Sequence, residues 1–183
     1  MDEYSPEVKT AIRAAMDASL LCQQVQKDLI GEVSFTKSDR SPVTIADYGS
    51  QAIICRLLKE TFPKDSIIAE EDSVELRKLD YAANLAQVTR YVKDRIPGAS
   101  PTEVCDWIGL SSHSLTERFW ALDPIDGTKG FLRGDQYAIA LALVENGEVK
   151  LGILACPNLH VDIQRPQDKR GCLFVAMRGE GSV

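Results

Sequence analysis

The stretch from Tyr137 to Pro157, YAIALALVENGEVKLGILACP, contains the clearest secondary-structure signal in the chain. Runs rich in apolar residues lie on both sides of Asn146-Gly147, which is the preferred pair for a two-residue type I′ turn. The stretch therefore predicts a β-hairpin. A further apolar run, CLFVAM at 172–177, predicts one more strand. Together these signals indicate a largely antiparallel sheet in the second part of the chain.

Helical spacing of apolar residues dominates the chain before this sheet. Gly31 and Pro63 supply the expected stops of the first two helices. The patterns predict helices at 5–30, 44–61 and 72–96, a short strand within 66–72, a polar loop at 36–43, and a loop at 97–104 before a short helix. Helices followed by an antiparallel sheet predict an α+β fold, with two N-terminal helices packed on a mostly antiparallel sheet.

Composition and charge narrow the classes of function. The chain has 183 residues, 44% of them hydrophobic, which is enough for one core and predicts a single domain. A formal net charge of −6 argues against binding to nucleic acid polymers or anionic membranes. No apolar run approaches the roughly 18 residues that would span a bilayer. The polar, acidic start predicts a cytoplasmic protein, unless a longer N-terminus carries an organellar signal.

Cysteine and histidine usage restricts the possible metal chemistry. None of the five cysteines forms a C-x-x-C pair, so a zinc ribbon is not expected. The two histidines, His113 and His160, are far apart in sequence. Any metal site must therefore use oxygen ligands, which favour Mg²⁺, Ca²⁺ or Mn²⁺.

The segment WALDPIDGTKGF, from Trp120 to Phe131, places Asp123 and Asp126 on either side of Pro124-Ile125. Two such close like charges are costly unless a cation lies between them. Gly127 permits a tight turn, and Thr128 could cap a short helix whose amides bind phosphate oxygens. The segment therefore predicts a cation and phosphate site. The alternative is that both aspartates are ordinary turn and cap residues.

Three further acids are candidates with their own alternatives. Glu70 and Glu71 end the predicted strand, and a solvated acidic loop is the commoner explanation of such a pair. Asp47 follows Thr44 by three residues, a spacing that fits a capping box. Asp47 could equally orient or deprotonate a metal-bound water. The two roles of Asp47 are compatible, because a cap would hold its carboxylate in place.

Three segments, SPVTIADYGSQ, IIAEED and WALDPIDGTKGFLRGDQYA, occur in the order seen in the lithium-sensitive, magnesium-dependent phosphomonoesterases. The chain resembles this superfamily, which includes inositol monophosphatase, inositol polyphosphate 1-phosphatase and 3′(2′),5′-bisphosphate nucleotidase. The sequences KGFLRGDQYA and KSDRSPVTIADYGSQ are most similar to the bisphosphate nucleotidase branch. The resemblance implies the inositol monophosphatase-like fold.

The resemblance also implies a role for each candidate residue. Asp47 would orient a water or help to hold a further metal ion. Thr128 would help to activate that water. The implied Mg²⁺ ligands are Glu70, Asp123, Asp126 and the carbonyl of Ile125, and the implied phosphate-binding amides are those of Gly127 and Thr128. The implied reaction is direct hydrolysis of a phosphate ester by metal-activated water, with 3′-phosphoadenosine 5′-phosphate giving AMP and phosphate.

The chain departs from the superfamily pattern in its second half. Members run to roughly twice this length, and they carry a later Trp-Asp-x-x-x-Gly motif whose aspartate binds metal. This sequence has only a reversed pair, Asp106-Trp107. We therefore expect residues 1–183 to form a single N-terminal domain with most of the metal site, without the C-terminal domain. The alternatives are a non-catalytic protein and an inositol polyphosphate 1-phosphatase.

The predicted last strand raises two smaller expectations. Without further strands, the sheet would end in an exposed edge around Cys172–Met177. Cys156 and Cys172 could lie on neighbouring strands and form a redox-sensitive disulfide. Free, buried thiols are the expected state, because disulfides are uncommon in the cytosol.

Overall fold

The computed structural model describes residues 5–30, 41–112, 116–162, 164–165 and 169–183. Residues 36–40 of the predicted polar loop at 36–43 lie outside the described residues. The helices are α1 (Pro6–Val25), continued by a π-helical turn (Gln26–Ile30), α2 (Ser41–Thr61), a 3₁₀ turn (Leu79–Tyr81), α3 (Ala82–Arg95), α4 (Pro101–Ile108) and α5 (Thr128–Arg133). The strands are β1 (Ser66–Ala69), β2 (Arg118–Asp126), β3 (Ala138–Glu145), β4 (Glu148–His160), β5 (Arg170–Met177) and β6 (Gly181–Ser182).

The six strands form one sheet in the order β1-β2-β3-β4-β5-β6. Only β1 and β2 pair in parallel, and every other neighbouring pair is antiparallel. The predicted hairpin is confirmed: Asn146 and Gly147 have φ angles of 52° and 77°, the positive pair that a type I′ turn requires. The predicted edge along Cys172–Met177 is shorter than expected, because Ala176 and Met177 pair with β6.

Helices α1 and α2 pack against each other and cover one face of the sheet. Helix α1 begins at the Ser5 cap, whose hydroxyl accepts a hydrogen bond from the amide of Val8. Small residues bring the two helices close together, because a Cβ at Gly49 would lie 2.8 Å from Leu21. On the covered face of the sheet, Trp120 and Ile139 are fully buried. The predicted α+β fold, with two N-terminal helices on a mostly antiparallel sheet, is therefore confirmed.

The opposite face of the sheet has no helix among the described residues packed on it. We call it the open face and define it by residues that share register partners across the strands, namely Ile68, Ala121, Ala140, Ala142, Leu154 and Phe174. Its side chains are small or partly exposed, and Leu154 is 45% exposed. A groove of about 550 Å³ runs along this face and reaches Glu70 and Asp123.

Several predicted boundaries are wrong. Helix α2 begins at Ser41, so Thr44 lies inside the helix and is not the N-cap residue that the predicted capping box with Asp47 requires. An earlier start is possible because proline is tolerated in the first helical turn, where its missing N–H would have no partner. No helix among the described residues is long and apolar enough to cross a membrane.

The region between β1 and α4 also differs from the prediction. The helix expected at 72–96 begins only at the 3₁₀ turn, because the Asp72 carboxylate accepts the Val74 amide and forms a local turn instead. Helix α4 begins inside the loop expected at 97–104. Ser100 and Glu103 form a complete capping box there, with Pro101 in the first turn. That Ser-x-x-Glu signal is present in the sequence and should have predicted the start of α4.

Candidate metal and phosphate site

A β-bulge at the end of β2 determines where the two aspartates lie. Asp123 pairs with Ala140 and Asp126 pairs with Ala138, so three steps along β2 match two steps along β3. Residues three apart on a regular strand point to opposite faces, but one extra residue restores them to the same face. Asp123 and Asp126 therefore share the open face, as Ala140 and Ala138 do.

The residues inside the bulge have a separate role. Pro124 and Ile125 lie between the aspartates and are both buried. Pro124 has no N–H to donate to the ladder, which favours an irregularity at this point. The Ile125 amide donates a hydrogen bond to Asp123 Oδ1 at 3.1 Å. This bond closes a short turn that fixes the Asp123 carboxylate before any cation binds.

Glu70 follows β1 directly, and it reaches the same end of the sheet as Asp123. The parallel register ends at Ala69 opposite Leu122, so Glu70 and Asp123 are the next residues on neighbouring strands. Glu70 lies on the side of Ile68, because side chains two residues apart on a strand share a face. Both carboxylates line the groove of the open face.

Asp47 approaches this group of acids from helix α2. Burial raises the pKa of Asp47 to about 8, with further contributions from the charges of Glu71, Glu70 and Asp123. These contributions place Asp47 near the acids that follow β1 and end β2. In this metal-free arrangement Asp47 holds its proton at neutral pH. A bound cation would reverse that preference, because its charge favours the ionised carboxylate.

The pKa of Asp123 points the same way. Burial raises this pKa, and the charges of Glu70 and Asp126 raise it further, while the Ile125 amide lowers it. The charged groups that raise the pKa of Asp123 are thus other carboxylates, Glu70 and Asp126. Carboxylate oxygens of this kind fit a hard divalent cation such as Mg²⁺. This match rests on the type of ligand atom and does not require that the carboxylates already surround a cation.

A preformed cage is in fact absent from the part of the chain that the structure describes. No three His, Cys, Asp or Glu side chains there are close enough together to hold a metal ion. Carboxylates of like charge repel one another unless a cation lies between them. The fourth predicted ligand, the carbonyl of Ile125, is a main-chain group and not one of those side chains.

Gly127 and Thr128 begin the short helix α5 immediately after Asp126. The prediction that Thr128 caps this helix is wrong, because Gly127 is the N-cap and Thr128 is the first helical residue. Gly127 adopts a left-handed φ of 91°, which a residue with a side chain would strain to reach. The first amides of a helix have no acceptor within it, so the amide of Thr128 is available to an anion.

Helix α5 is held in place by unusually close packing. A Cβ at Gly130 would lie 1.9 Å from the carbonyl oxygen of Gln136, so any side chain would displace the helix. Phe131 packs edge-on against Tyr137 with ring centroids 5.0 Å apart. Gln26, in the π-helical turn after α1, donates to the Phe131 carbonyl at 2.8 Å. These contacts fix the position of Thr128 relative to the sheet.

The structure thus brings Asp47, Glu70, Asp123 and Asp126 to one end of the sheet, with Gly127 and Thr128 next to them. Sequence reasoning missed two supporting residues of α2, Tyr48 and Gln51. Gln51 lies one helical turn after Asp47 and shares its helix face, and Tyr48, three residues before Gln51, neighbours Gln51 on the surface of α2. The cysteine pair is also placed: Cys156 and Cys172 are register partners on β4 and β5, and both are free thiols. Both thiols are partly exposed rather than buried as expected.

Comparison with known proteins identifies the family of the chain. The profile of the inositol monophosphatase family matches residues 3–183. The chain is 43% identical to the 3′(2′),5′-bisphosphate nucleotidase 1 of Arabidopsis thaliana, covering 98% of this chain and 56% of that protein. It is 44% identical to the 3′(2′),5′-bisphosphate nucleotidase of Oryza sativa, covering 98% and 55%. The chain therefore spans about half the length of the curated relatives that it matches.

Solved structures support the fold. CysQ from Bacteroides thetaiotaomicron, a bacterial member of the inositol monophosphatase family, superposes with a TM-score of 0.56 at 20% identity, covering all of this chain and 49% of the other. The extragenic suppressor protein SuhB from Bartonella henselae superposes with a TM-score of 0.56 at 21% identity, covering 98% and 51%. The chain belongs to the inositol monophosphatase family.

Proposed function

We propose that this member of the inositol monophosphatase family is a magnesium-dependent phosphomonoesterase of the bisphosphate nucleotidase type. Its proposed substrate is 3′-phosphoadenosine 5′-phosphate, which it converts to AMP and phosphate. The observation that carries this proposal is the bulge in β2, which puts Asp123 and Asp126 on one face beside Glu70. The relatives named as 3′(2′),5′-bisphosphate nucleotidases support the choice of substrate.

The proposed Mg²⁺ ligands are the carboxylates of Glu70, Asp123 and Asp126 and the carbonyl of Ile125. Bound Mg²⁺ supplies Lewis-acid chemistry, lowering the pKa of water and offsetting the charge of the phosphate. Asp47 orients the attacking water and accepts its proton, a role suited to a buried acid. The oxygen of that water bonds to phosphorus as the ester P–O bond breaks, the departing 3′ oxygen of AMP takes up a proton from solvent water, and no covalent enzyme intermediate forms.

Thr128 and the start of α5 act on the phosphate itself. The hydroxyl of Thr128 helps Asp47 to orient the water. The amides of Gly127 and Thr128 bind the phosphate oxygens, aided by the partial positive charge at a helix start. The close contact at Gly130 makes this arrangement rigid, which is what electrostatic stabilisation of a transition state requires.

We further propose that residues 1–183 form one domain that carries most of this site. This sequence contains no Trp-Asp-x-x-x-Gly motif, so the aspartate that the resemblance implies for that motif has no counterpart in it. Mg²⁺ is held by few protein ligands, so each carboxylate of residues 1–183 that binds the ion should contribute substantially to its affinity. In the proposed site, three carboxylates and one carbonyl of residues 1–183 hold the ion.

Release of inorganic phosphate from 3′-phosphoadenosine 5′-phosphate tests the proposal. The purified chain should release phosphate with Mg²⁺ and stop when EDTA is added. Asp126→Ala should abolish that release, whereas Glu148→Ala, on an exposed hairpin far from the site, should retain it. No Mg²⁺-dependent release above the Asp126→Ala background would contradict catalysis by this chain. Faster release from an inositol polyphosphate would instead contradict the proposed substrate.

A further inference from the structure

Gln51 is a fully buried polar residue on α2, one helical turn after Asp47. Its Oε1 accepts a hydrogen bond from the Glu71 amide at 3.0 Å. Its Nε2 donates to the Glu71 carbonyl at 2.6 Å and to the Ile108 carbonyl at 3.0 Å. One side chain thus binds both main-chain groups of Glu71 and also the last residue of α4.

Tyr48 holds the same glutamate through its side chain. Its hydroxyl shares a hydrogen bond with the Glu71 carboxylate, and the ring is 8% exposed. Tyr48 and Gln51 are three residues apart, so they project from the same side of α2. Glu71 is therefore fixed at its amide, its carbonyl and its carboxylate by a single turn of helix.

The two neighbouring glutamates consequently differ. Glu71 is partly buried and committed to α2, whereas Glu70 is exposed and lines the groove beside Asp123. The hydrogen bonds of Gln51 orient the peptide planes on both sides of Glu71. The plane between Glu70 and Glu71 is one of these, so Gln51 also limits the directions in which the Glu70 side chain can point.

We propose that Gln51 is a positioning residue that presents the Glu70 carboxylate to the cation, and that Tyr48 keeps the Glu71 carboxylate out of the site. This inference rests on the proposed metal-binding function of Glu70. Asp47 and Gln51 lie on the same helix. Helix α2 therefore fixes the position of Asp47, which orients the water, relative to Glu70, which binds the ion. Partners outside the ligand shell commonly change metal affinity by about 10- to 100-fold.

A purely structural role for Gln51 predicts something different. Any buried, fully hydrogen-bonded side chain stabilises the fold, and its loss lowers stability without a selective effect on cation binding. Thr89 on α3 offers a matched control. It is 4% exposed, its hydroxyl donates to the Leu85 carbonyl at 2.7 Å, and it takes no part in the proposed site.

The test compares Gln51→Met, which keeps the volume but loses the hydrogen bonds, with Thr89→Val and the wild type. Mn²⁺ affinity is measured by electron paramagnetic resonance, and amide exchange at Glu71 by NMR in metal-free protein. We expect Gln51→Met to bind Mn²⁺ about 10-fold more weakly and to lose at least about 10-fold of the Glu71 amide protection. Thr89→Val should retain both properties.

Unchanged Mn²⁺ affinity in Gln51→Met, with the amide protection lost, would overturn the positioning role. An equal fall of affinity in Thr89→Val would also overturn it, since the effect would then be one of stability alone. Failure of the wild type to bind Mn²⁺ would contradict the proposed function instead. If Gln51→Met does not fold, amide exchange at Glu71 in metal-free wild-type protein still tests the proposed role of Gln51. Protection of the Glu71 amide by less than about 100-fold would show that Gln51 does not hold it and would rule out the positioning role.

Discussion

On the face of the sheet covered by α1 and α2, Trp120, Ile139 and Ile153 are no more than 1% exposed, whereas on the open face Leu154 and Phe174 are 45% and 43% exposed. The same strands supply both faces, because alternate side chains point in opposite directions. The covered face thus buries the apolar area that stabilises the fold. The open face contributes less to stability, and it holds the carboxylates at one end of its groove.

The position of the site depends on an irregularity in β2 rather than on the regular alternation of a strand. A regular β2 would send one of its two aspartates to the covered face, where an unpaired charge is costly. The bulge at Pro124-Ile125 puts both on the open face. The acids therefore repel one another near water, where a cation can reach them.

The largest effect should follow from truncating the covered face. Trp120 is fully buried, stacks on Phe62 at 5.7 Å, and donates from its indole nitrogen to Asp65 at 3.1 Å. Trp120→Ala should lower the free energy of unfolding by about 3–5 kcal/mol. Phe174→Ala on the open face should cost less than about 1 kcal/mol, because its side chain is already half exposed. Urea unfolding measures both, and equal losses would show that the two faces are equally covered.

The next effect concerns the glycine that seats α5. Gly130→Ala should cost about 2–3 kcal/mol, because its new Cβ would meet the Gln136 carbonyl oxygen at 1.9 Å. Gly152 provides the control on the open face, since a Cβ there meets nothing within 4 Å. Gly152→Ala should stay within about 0.5 kcal/mol of the wild type in the same assay. A neutral Gly130→Ala would mean that α5 is not held by this contact.

The acids should make metal-free protein less stable as the pH rises. The folded state raises the pKa of Asp47 from 3.8 to about 8, mainly by burial. The folded state therefore binds this proton more tightly than the unfolded state, and stability is lost as the pH rises between those values. The slope for one group is at most about 1.4 kcal/mol per pH unit. Asp47→Asn should reduce this dependence of the free energy of unfolding on pH, measured by urea unfolding from pH 5 to 8 with EDTA. An unchanged slope would show that other groups cause the pH dependence.

The smallest effect should come from the hairpin that defines the fold. Asn146 has a positive φ of 52°, which asparagine tolerates better than alanine. Asn146→Ala should cost about 1 kcal/mol in thermal unfolding and leave cation binding unchanged. A change in Mn²⁺ affinity would show that the turn and the site are coupled through β3.

The fold was largely predictable because its signals are local. Asn146-Gly147 predicts the hairpin, and the apolar spacing of α1 and α2 predicts the helical layer. The missed boundaries depended on competing local bonds, such as the Asp72 turn that delays the third helix. The start of α4, by contrast, has a local capping signal in the sequence, Ser100 followed three residues later by Glu103.

The candidate site was predictable only in part. The residue types and order of Glu70, Asp123 and Asp126 indicate a cation site, but their common face depends on the register shift in β2. No alternation rule yields that shift from the sequence. The hydrogen bonds of Gln51 to Glu71 join residues 20 positions apart, so only the packing of α2 beside β1 could show them.

The cation dependence of stability tests the central claim most directly, namely that the acids at the end of the open face form a divalent cation site. Asn at position 123 can still accept the Ile125 amide, so Asp123→Asn removes charge while keeping the turn. At pH 8 with EDTA, Asp123→Asn should be more stable than the wild type. With saturating Mg²⁺ the wild type should gain about 1–3 kcal/mol and the variant much less, so that their order reverses. Equal responses of the two proteins to Mg²⁺ would contradict the claim.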